Sequence, residues 1–207
     1  MKLSFEFAGK PYTLMKDELL ARIRCRFVSS EHYTGNFSEL VKTNWNADIW
    51  KTYALDITDI TGFSGGTAYL PITYNLAESC GLTLDVLEQA TADNDYTVES
   101  LAETLGIPDL DDGKPLMLVI SNHDKTQGAS AILSKSAQAE ICDRLETDKY
   151  YIIPSSVHEM LAAPVDVSDP DSVASVIHTI NREMVEPVDR LSDHLFLYDK
   201  GEISVAA

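Results

Sequence analysis

The spacing of apolar residues changes along this chain, and the changes mark out its elements. KLSFEFAGKPYTL alternates on both sides of a Gly-Lys turn, the pattern of a β-hairpin. In MKDELLARIRCRFV, Leu19, Ile23 and Phe27 stand four apart, which predicts a helix. NFSELVKTNW predicts a second short helix, and KTYALDITDI alternates like a strand. GFSGG is the best candidate boundary, because glycine reaches backbone angles that other residues avoid. It divides the chain into 1–62, a β-hairpin with helices, and 63–207, an acidic α+β domain.

Beyond the glycines, TAYLPITYNLAESCGLTLDVLEQATADN predicts a strand and two helices joined at Gly81. Thr83 is placed to cap the second helix, and Asp85 sits near its positive end. YTVESLAETLG predicts a helix from Thr97 to a terminal Gly106. PLMLVISN is an apolar run of strand length, which belongs in the middle of a sheet, with GASAIL as a neighbouring strand. Ser134 opens a helix whose buried line is Ala137, Ile141 and Leu145; YYIIP is a further strand. Asp169-Pro170-Asp171 is a helix start, followed by an apolar stripe of Val173, Ile177, Ile180 and Met184 that Pro187 ends. HLFLYDKGEISVA closes as a hairpin over Asp-Lys-Gly. The sum is an α+β fold, a mixed or antiparallel sheet flanked by helices, with an N-terminal hairpin-helix extension.

Charge narrows the functions. The net charge is −17, unevenly placed: residues 1–57 sum to +1 and residues 58–207 to −18. From Thr52 to Gly113 there are twelve acids and no lysine or arginine. Such a surface repels phosphate backbones, so direct nucleic-acid binding is not expected, whereas a basic protein partner, a cation or plain solubility suits it. Helix-turn-helix spacings at Ala77, Gly81 and Leu87 and at Ala102 and Gly106 lack the lysines and arginines a recognition helix needs. No apolar run is long enough for a membrane span, and the first residues lack a leader's apolar region. Cys25, Cys80 and Cys142 are widely spread with no CxxC pair, which fits free thiols in a reducing cytoplasm.

Candidate chemistry lies in two places. YYIIPSSVHEML sets Ser156, His158 and Glu159 close together, the side-chain types of an acyl-transfer site. The same Ser156-Val157-His158-Glu159 matches the capping box S-x-x-E, a structural task for both ends. H-E-x-x-H fails, because Ala162 stands where the second histidine is required. SNHDKTQGASAIL places Asn122, His123, Asp124, Lys125 and Gln127 in a loop between two apolar strands, where binding groups concentrate. His123 and Asp124 are the matching catalytic candidates for a hydrolase, with Ser156 and His158. Asp93, Asp95, Asp109, Asp111 and Asp112 are acidic binding candidates. Their loops would suit Ca²⁺ or Mg²⁺, and a histidine-containing set Zn²⁺. ADNDYTVESLAE starts like an EF-hand but has Val98 and Thr104 where glycine and glutamate are required. GFSGG lacks the lysine and spacing of a phosphate loop, and no cofactor is expected.

From about Thr67, the segments YLPITYNLAESCGLTLDVLEQATADN, LMLVISN, GASAIL, YYIIPSSVHEMLAAP and LSDHLFLYDKGEI resemble, in the same order, an uncharacterised family from gut Clostridia and related Firmicutes. The YtpQ-like bacterial proteins are a more distant likeness. The resemblance implies no activity, cofactor or catalytic residue, and the first sixty residues diverge from it. Three functions are therefore set against one another. The first is a non-enzymatic cytoplasmic protein that binds another macromolecule, in its sharpest form a phage or mobile-element inhibitor of a nucleic-acid-binding defence protein. The others are a hydrolase and a metal-binding protein.

Overall fold

The computed structural model describes residues 2–7, 9–62, 66–92, 95–106, 115–166 and 170–207. β1 (Lys2–Phe7) and β2 (Lys10–Met15) form the predicted hairpin. α1 (Lys16–Ala21) stops early, and β3 (Ile23–Ser29) takes the rest of the predicted helix. Ile23, Cys25 and Phe27 stand two apart as well as four, and all three are buried with half-buried Arg24 and Arg26 between them. That alternation is a strand's, so the period of two overrides the i, i+4 reading. A 3₁₀ turn (Phe37–Glu39) and β4 (Lys42–Asn46) likewise replace the second predicted helix. Thr43, Asn44 and Trp45 are poor helix formers, and the strand pairs with β5 (Ile49–Asp56).

A turn of helix, α2 (Thr58–Thr61), leads across the glycine-rich stretch to β6 (Tyr69–Pro71). β3 lies along one edge of β5, while β4 and β6 share the other, all antiparallel. α3 (Tyr74–Cys80) and α4 (Leu84–Ala90) then meet at Gly81, whose φ of 64° turns the chain. The hydroxyl oxygens of Thr73 and Thr83 accept the Leu76 and Val86 amides, capping both helices as their sequence suggests. Leu3, Leu14, Ile23, Leu55, Ile72, Ala77 and Leu87 form one core beneath them.

β7 (Thr97–Ser100) and α5 (Leu101–Leu105) correct the helix predicted from Thr97. The β-branched Thr97 and Val98 pair with β8 (Leu118–Ser121), and the helix begins only after Ser100. β8 is buried throughout and lies inside a sheet, between two partners. GASAIL is a 3₁₀ turn (Ala129–Leu133), not a strand. Its small residues pack close against the sheet face, and the Ser130 hydroxyl donates to the Cys25 carbonyl at 2.8 Å. α6 (Lys135–Leu145) follows, capped by Ser134 and burying Ala137, Ile141 and Leu145. β9 (Lys149–Ser156) and β10 (Glu159–Pro164) form a hairpin. α7 (Pro170–Met184) starts at its proline; Asp169 lies outside the described residues. β11 (Phe196–Asp199) and β12 (Glu202–Val205) close the chain over Lys200 and Gly201, both at positive φ.

The second sheet has the order β12-β11-β9-β10-β8-β7, antiparallel at each junction. YYIIP carries no polar alternation because both faces of its strand are covered. Tyr150 and Ile152 join α6 and the 3₁₀ turn in the larger core; Tyr151 and Ile153 face Ile177 of α7. Phe27 and Ile49 also belong to the larger core, and Trp45 bridges Phe27 and Phe196 at ring distances of 4.5 and 5.3 Å. Each fully buried leucine or isoleucine contributes about 1.5–3 kcal/mol of hydrophobic stabilisation.

Candidate functional site

The two polar stretches singled out in the sequence meet at one place. The turn between β9 and β10 (Val157-His158) lies against the loop that links β8 to the 3₁₀ turn. The His158 carbonyl accepts from the Gly128 amide at 3.1 Å and from the Ser121 hydroxyl at 2.8 Å. The Val157 carbonyl accepts from Ala129 at 3.2 Å, and the Val157 amide donates to the Asp189 carbonyl at 2.8 Å. The imidazole is held as firmly. Its Nδ1 accepts the Gln127 amide at 3.1 Å, so the ring proton sits on Nε2, 3.3 Å from the Asp189 carboxylate.

Ser156 is turned to a different task. Its Oγ accepts the His158 amide at 3.1 Å, bridging the hairpin turn. This corrects the capping box expected at Ser156 to Glu159: the two residues are opposed strand partners, and no helix follows. The box is made instead by Ser100 and Glu103. The Glu103 amide donates to Ser100 Oγ at 3.0 Å, and the Ser100 amide to Glu103 Oε2 at 2.6 Å. Both stretches read S-x-x-E; what separates them is the continuation. LAETL after Ser100 is helix-forming, whereas EMLAAP after His158 pairs as a strand.

Within the loop, the Asn122 side chain clasps the chain from both sides. Its Nδ2 donates to the Thr126 carbonyl at 2.9 Å, and its Oδ1 accepts the Thr126 amide at 3.1 Å. Lys125 and Gln127 adopt left-handed φ of 52° and 56°. His123 is largely exposed, with Nδ1 against the Asp95 carboxylate and its amide 3.0 Å from Asp95 Oδ2. Asp124 makes no ion pair among the described residues, and its carbonyl accepts from the Thr126 hydroxyl at 3.2 Å. Thus His123 joins Asp95, His158 joins Asp189, and Ser156 hydrogen-bonds neither imidazole among the described residues. Those residues contain no group of three or more His, Cys, Asp or Glu arranged to hold a metal ion. Asp93, Asp109, Asp111 and Asp112 lie outside the described residues.

Electrostatics differs from the linear charge count. The cation-free stretch borrows its cations from outside itself. Asp56 pairs with Arg24, Asp59 with Arg22, Glu88 with Lys51, Asp95 with His123, Glu99 with Lys125 and Glu103 with Arg144. Among its described acids, only Glu78 and Asp85 stand without an ion-pair partner, both exposed. Burial opposes ionisation of Glu88, but hydrogen bonds from Lys51 and Tyr53 prevail and hold it below the usual carboxylate range. Burial, and then the bond to Glu88, pushes the Tyr53 phenol up.

The sequence reading missed two features. One is an apolar groove of about 480 Å³ between α7 and the outer face of β9 and β10, walled by Tyr151, Ile153, Leu161 and Ile177. The exposed apolar face of α7 was its signal. Val176, Ile180 and Met184 are 57, 43 and 81% exposed. The other feature is a pair of arginines, Arg26 and Arg190, too far apart in sequence to be read together. Among the described residues no helix is long and apolar enough to cross a membrane. Among the described residues, Cys25, Cys80 and Cys142 form no disulfide.

A profile of DUF5688, a family of unknown function, matches residues 60–200, about two-thirds of the chain. No curated protein and no solved structure matches.

Proposed function

We propose, for a chain that belongs to the DUF5688 family, a non-catalytic role in the cytoplasm: binding a basic protein partner that lays an apolar anchor along α7. The observation that carries this reading is the open face of that helix. Val176, Ile180 and Met184 recur every fourth residue along α7, the first two lining the groove, so they form one stripe rather than scattered apolar contacts. Pro164 and Ser172 line the groove, and Asp166 and Asp171, close to them in sequence, are exposed and without an ion-pair partner among the described residues. An apolar seam with carboxylates at its rim fits an amphipathic segment that carries lysine or arginine beside its apolar residues. Burying the three side chains would contribute a few kcal/mol, at about 25 cal/mol per Å². The net charge of −17 favours such a partner at long range and disfavours nucleic acid.

The sharper form of the reading, a phage or mobile-element inhibitor of a nucleic-acid-binding defence protein, is supported by the charge alone. Displacement of a captured partner by duplex DNA would test it.

The test of the general reading uses a fluorescent amphipathic peptide of leucine and lysine as the probe. Wild-type protein should bind it saturably. Ile180→Asp with Met184→Asp should weaken binding at least tenfold (about 1.4 kcal/mol) while leaving the melting temperature unchanged. Asp166→Asn with Asp171→Asn should flatten the dependence of affinity on salt. Equal binding by wild type and both double variants would refute the proposal.

A further inference from the structure

The chain has 33 acids against 16 lysines and arginines, yet it contains a cavity lined by cations and, among the described residues, by no acid. The cavity holds about 90 Å³ and is walled by Arg26 of β3, Arg190, His32 and the hydroxyl-bearing Ser29, Tyr33 and Thr34.

The arginines single it out. The chain has six. Arg22, Arg24, Arg144 and Arg182 each pair with a carboxylate. The other two, Arg26 and Arg190, have no carboxylate partner among the described residues, and both line this cavity. Arg26 Nε donates to the Gln127 side-chain oxygen at 3.2 Å, and its guanidinium lies 5.0 Å from the Tyr69 ring centre. Its two terminal nitrogens make no hydrogen bond to the described residues. Burial pushes this guanidinium below the usual arginine value. Arg190 is anchored by backbone only, Nε to the Val185 carbonyl and a terminal nitrogen to the Arg182 carbonyl, each at 3.0 Å.

Arg26 also lines a second small cavity with Asp95 and Asp124, of which Asp124 makes no ion pair among the described residues; of the acids near Arg190 and His32, Asp189 and Asp193 are engaged. Asp189 faces His158. Asp193, which senses the charge of His32, is held by His178 and Asn181 at 2.7 Å each. Two guanidinium groups on one small cavity repel each other, and a partly desolvated cation without a counter-ion is costly. An oxyanion between them would relieve both. A planar carboxylate is satisfied by one arginine fork. Two arginines from separate elements, a histidine and hydroxyl groups supply the several donors that a tetrahedral oxyanion accepts.

We propose that this cavity binds phosphate, either as the free ion or as the terminal phosphoryl group of a small phosphomonoester, with Arg26 and Arg190 as its ligands. The site is separate from the α7 groove and does not depend on that reading. Isothermal titration with inorganic phosphate and with glycerol 3-phosphate tests it, in chloride buffer of about 0.15 M, where remote acids are screened beyond about 8 Å. One probe at least should bind saturably at one site. Tighter binding of the free ion identifies an inorganic phosphate site, and tighter binding of the ester a phosphometabolite site. Arg190→Gln and Arg26→Gln should each lower affinity at least tenfold, and the exposed control Arg182→Gln should leave it unchanged. Arg190→Gln reports even if the more buried Arg26→Gln fails to fold. Absence of saturable binding by either probe, or equal affinity in wild type and Arg190→Gln, overturns the proposal.

Discussion

Gly128 sits where the loop after β8 crosses the turn between β9 and β10, and its substitution by alanine isolates what that crossing contributes. Its φ of −92° is open to any residue, so the cost of a side chain is one of space rather than conformation. A Cβ there would lie 2.4 Å from Ser121 Oγ, 2.5 Å from the Asn122 amide nitrogen and 2.9 Å from Asn122 Oδ1. The hydroxyl is held by its bond to the His158 carbonyl, and the amide nitrogen is backbone at the end of a buried strand. The chain at residue 128 must therefore move. That loosens the Gly128 bond to His158 and the Ala129 bond to Val157. Overpacking costs about 1–3 kcal/mol, and each weakened hydrogen bond about 1 kcal/mol at most. Together they give roughly 3 kcal/mol, a fall in melting temperature of about 6–12 °C for a chain of this size. Gly35→Ala is the comparison. Its Cβ would come as close, 2.6 Å, but to the half-buried Tyr33 ring, which can rotate away. Its cost should stay within about 1 kcal/mol. Thermal and urea denaturation of both variants, followed by circular dichroism, measure the difference. Equal losses, or a Gly128→Ala shift below about 3 °C, would refute the reasoning.

Local chemistry yields three further predictions. Ser100→Ala removes the cap of α5 and should cost about 1 kcal/mol, seen as a lower urea midpoint with an unchanged slope. Glu103 is held below its ordinary value of 4.5 chiefly by the Ser100 amide and then by Arg144. Its contribution is therefore complete above that value and lost as pH falls through the lowered one. Stabilities of wild type and Glu103→Gln should differ at neutral pH and converge in acid. A gap that persists in acid would contradict the sign. The Tyr150 hydroxyl is buried without a partner among the described residues, while its ring stacks on Tyr198 at 4.4 Å. Tyr150→Phe keeps the ring and should be neutral or stabilising by about 1 kcal/mol. A loss larger than about 1 kcal/mol would reveal a partner for that oxygen.

The elements that the sequence announced correctly were those with local punctuation. Gly81 between two threonine caps, Ser134 before α6, Pro170 at the start of α7 and Lys200-Gly201 in the last hairpin each act within a few residues. The errors came where two readings fit the same letters and tertiary pairing decided. Ile23 to Phe27 satisfies periods of four and two, and the partner strand β5 selects two. GASAIL is apolar enough for a strand, but its small residues let it coil tightly against the sheet. Ser156 and Glu159 match a cap whose helix never forms. Among site residues, the meeting of His158 with the loop after Asn122 was invisible locally because hydrogen bonds across the sheet create it. The linear charge map omits pairing for the same reason: pairing is set in space, and the cations for Asp59, Glu88 and Glu103 arrive from distant segments.

That borrowing has a consequence for dissecting the molecule. Lys51, Phe27 and Ile49 all precede residue 60, where the family match begins. Excising the matched segment would strip Glu88 of its cation, deprive β6 of the strand it borders and open a gap in the larger core. The matched segment alone should therefore be less stable than the full chain, a difference that urea denaturation of residues 60–207 beside residues 1–207 would measure.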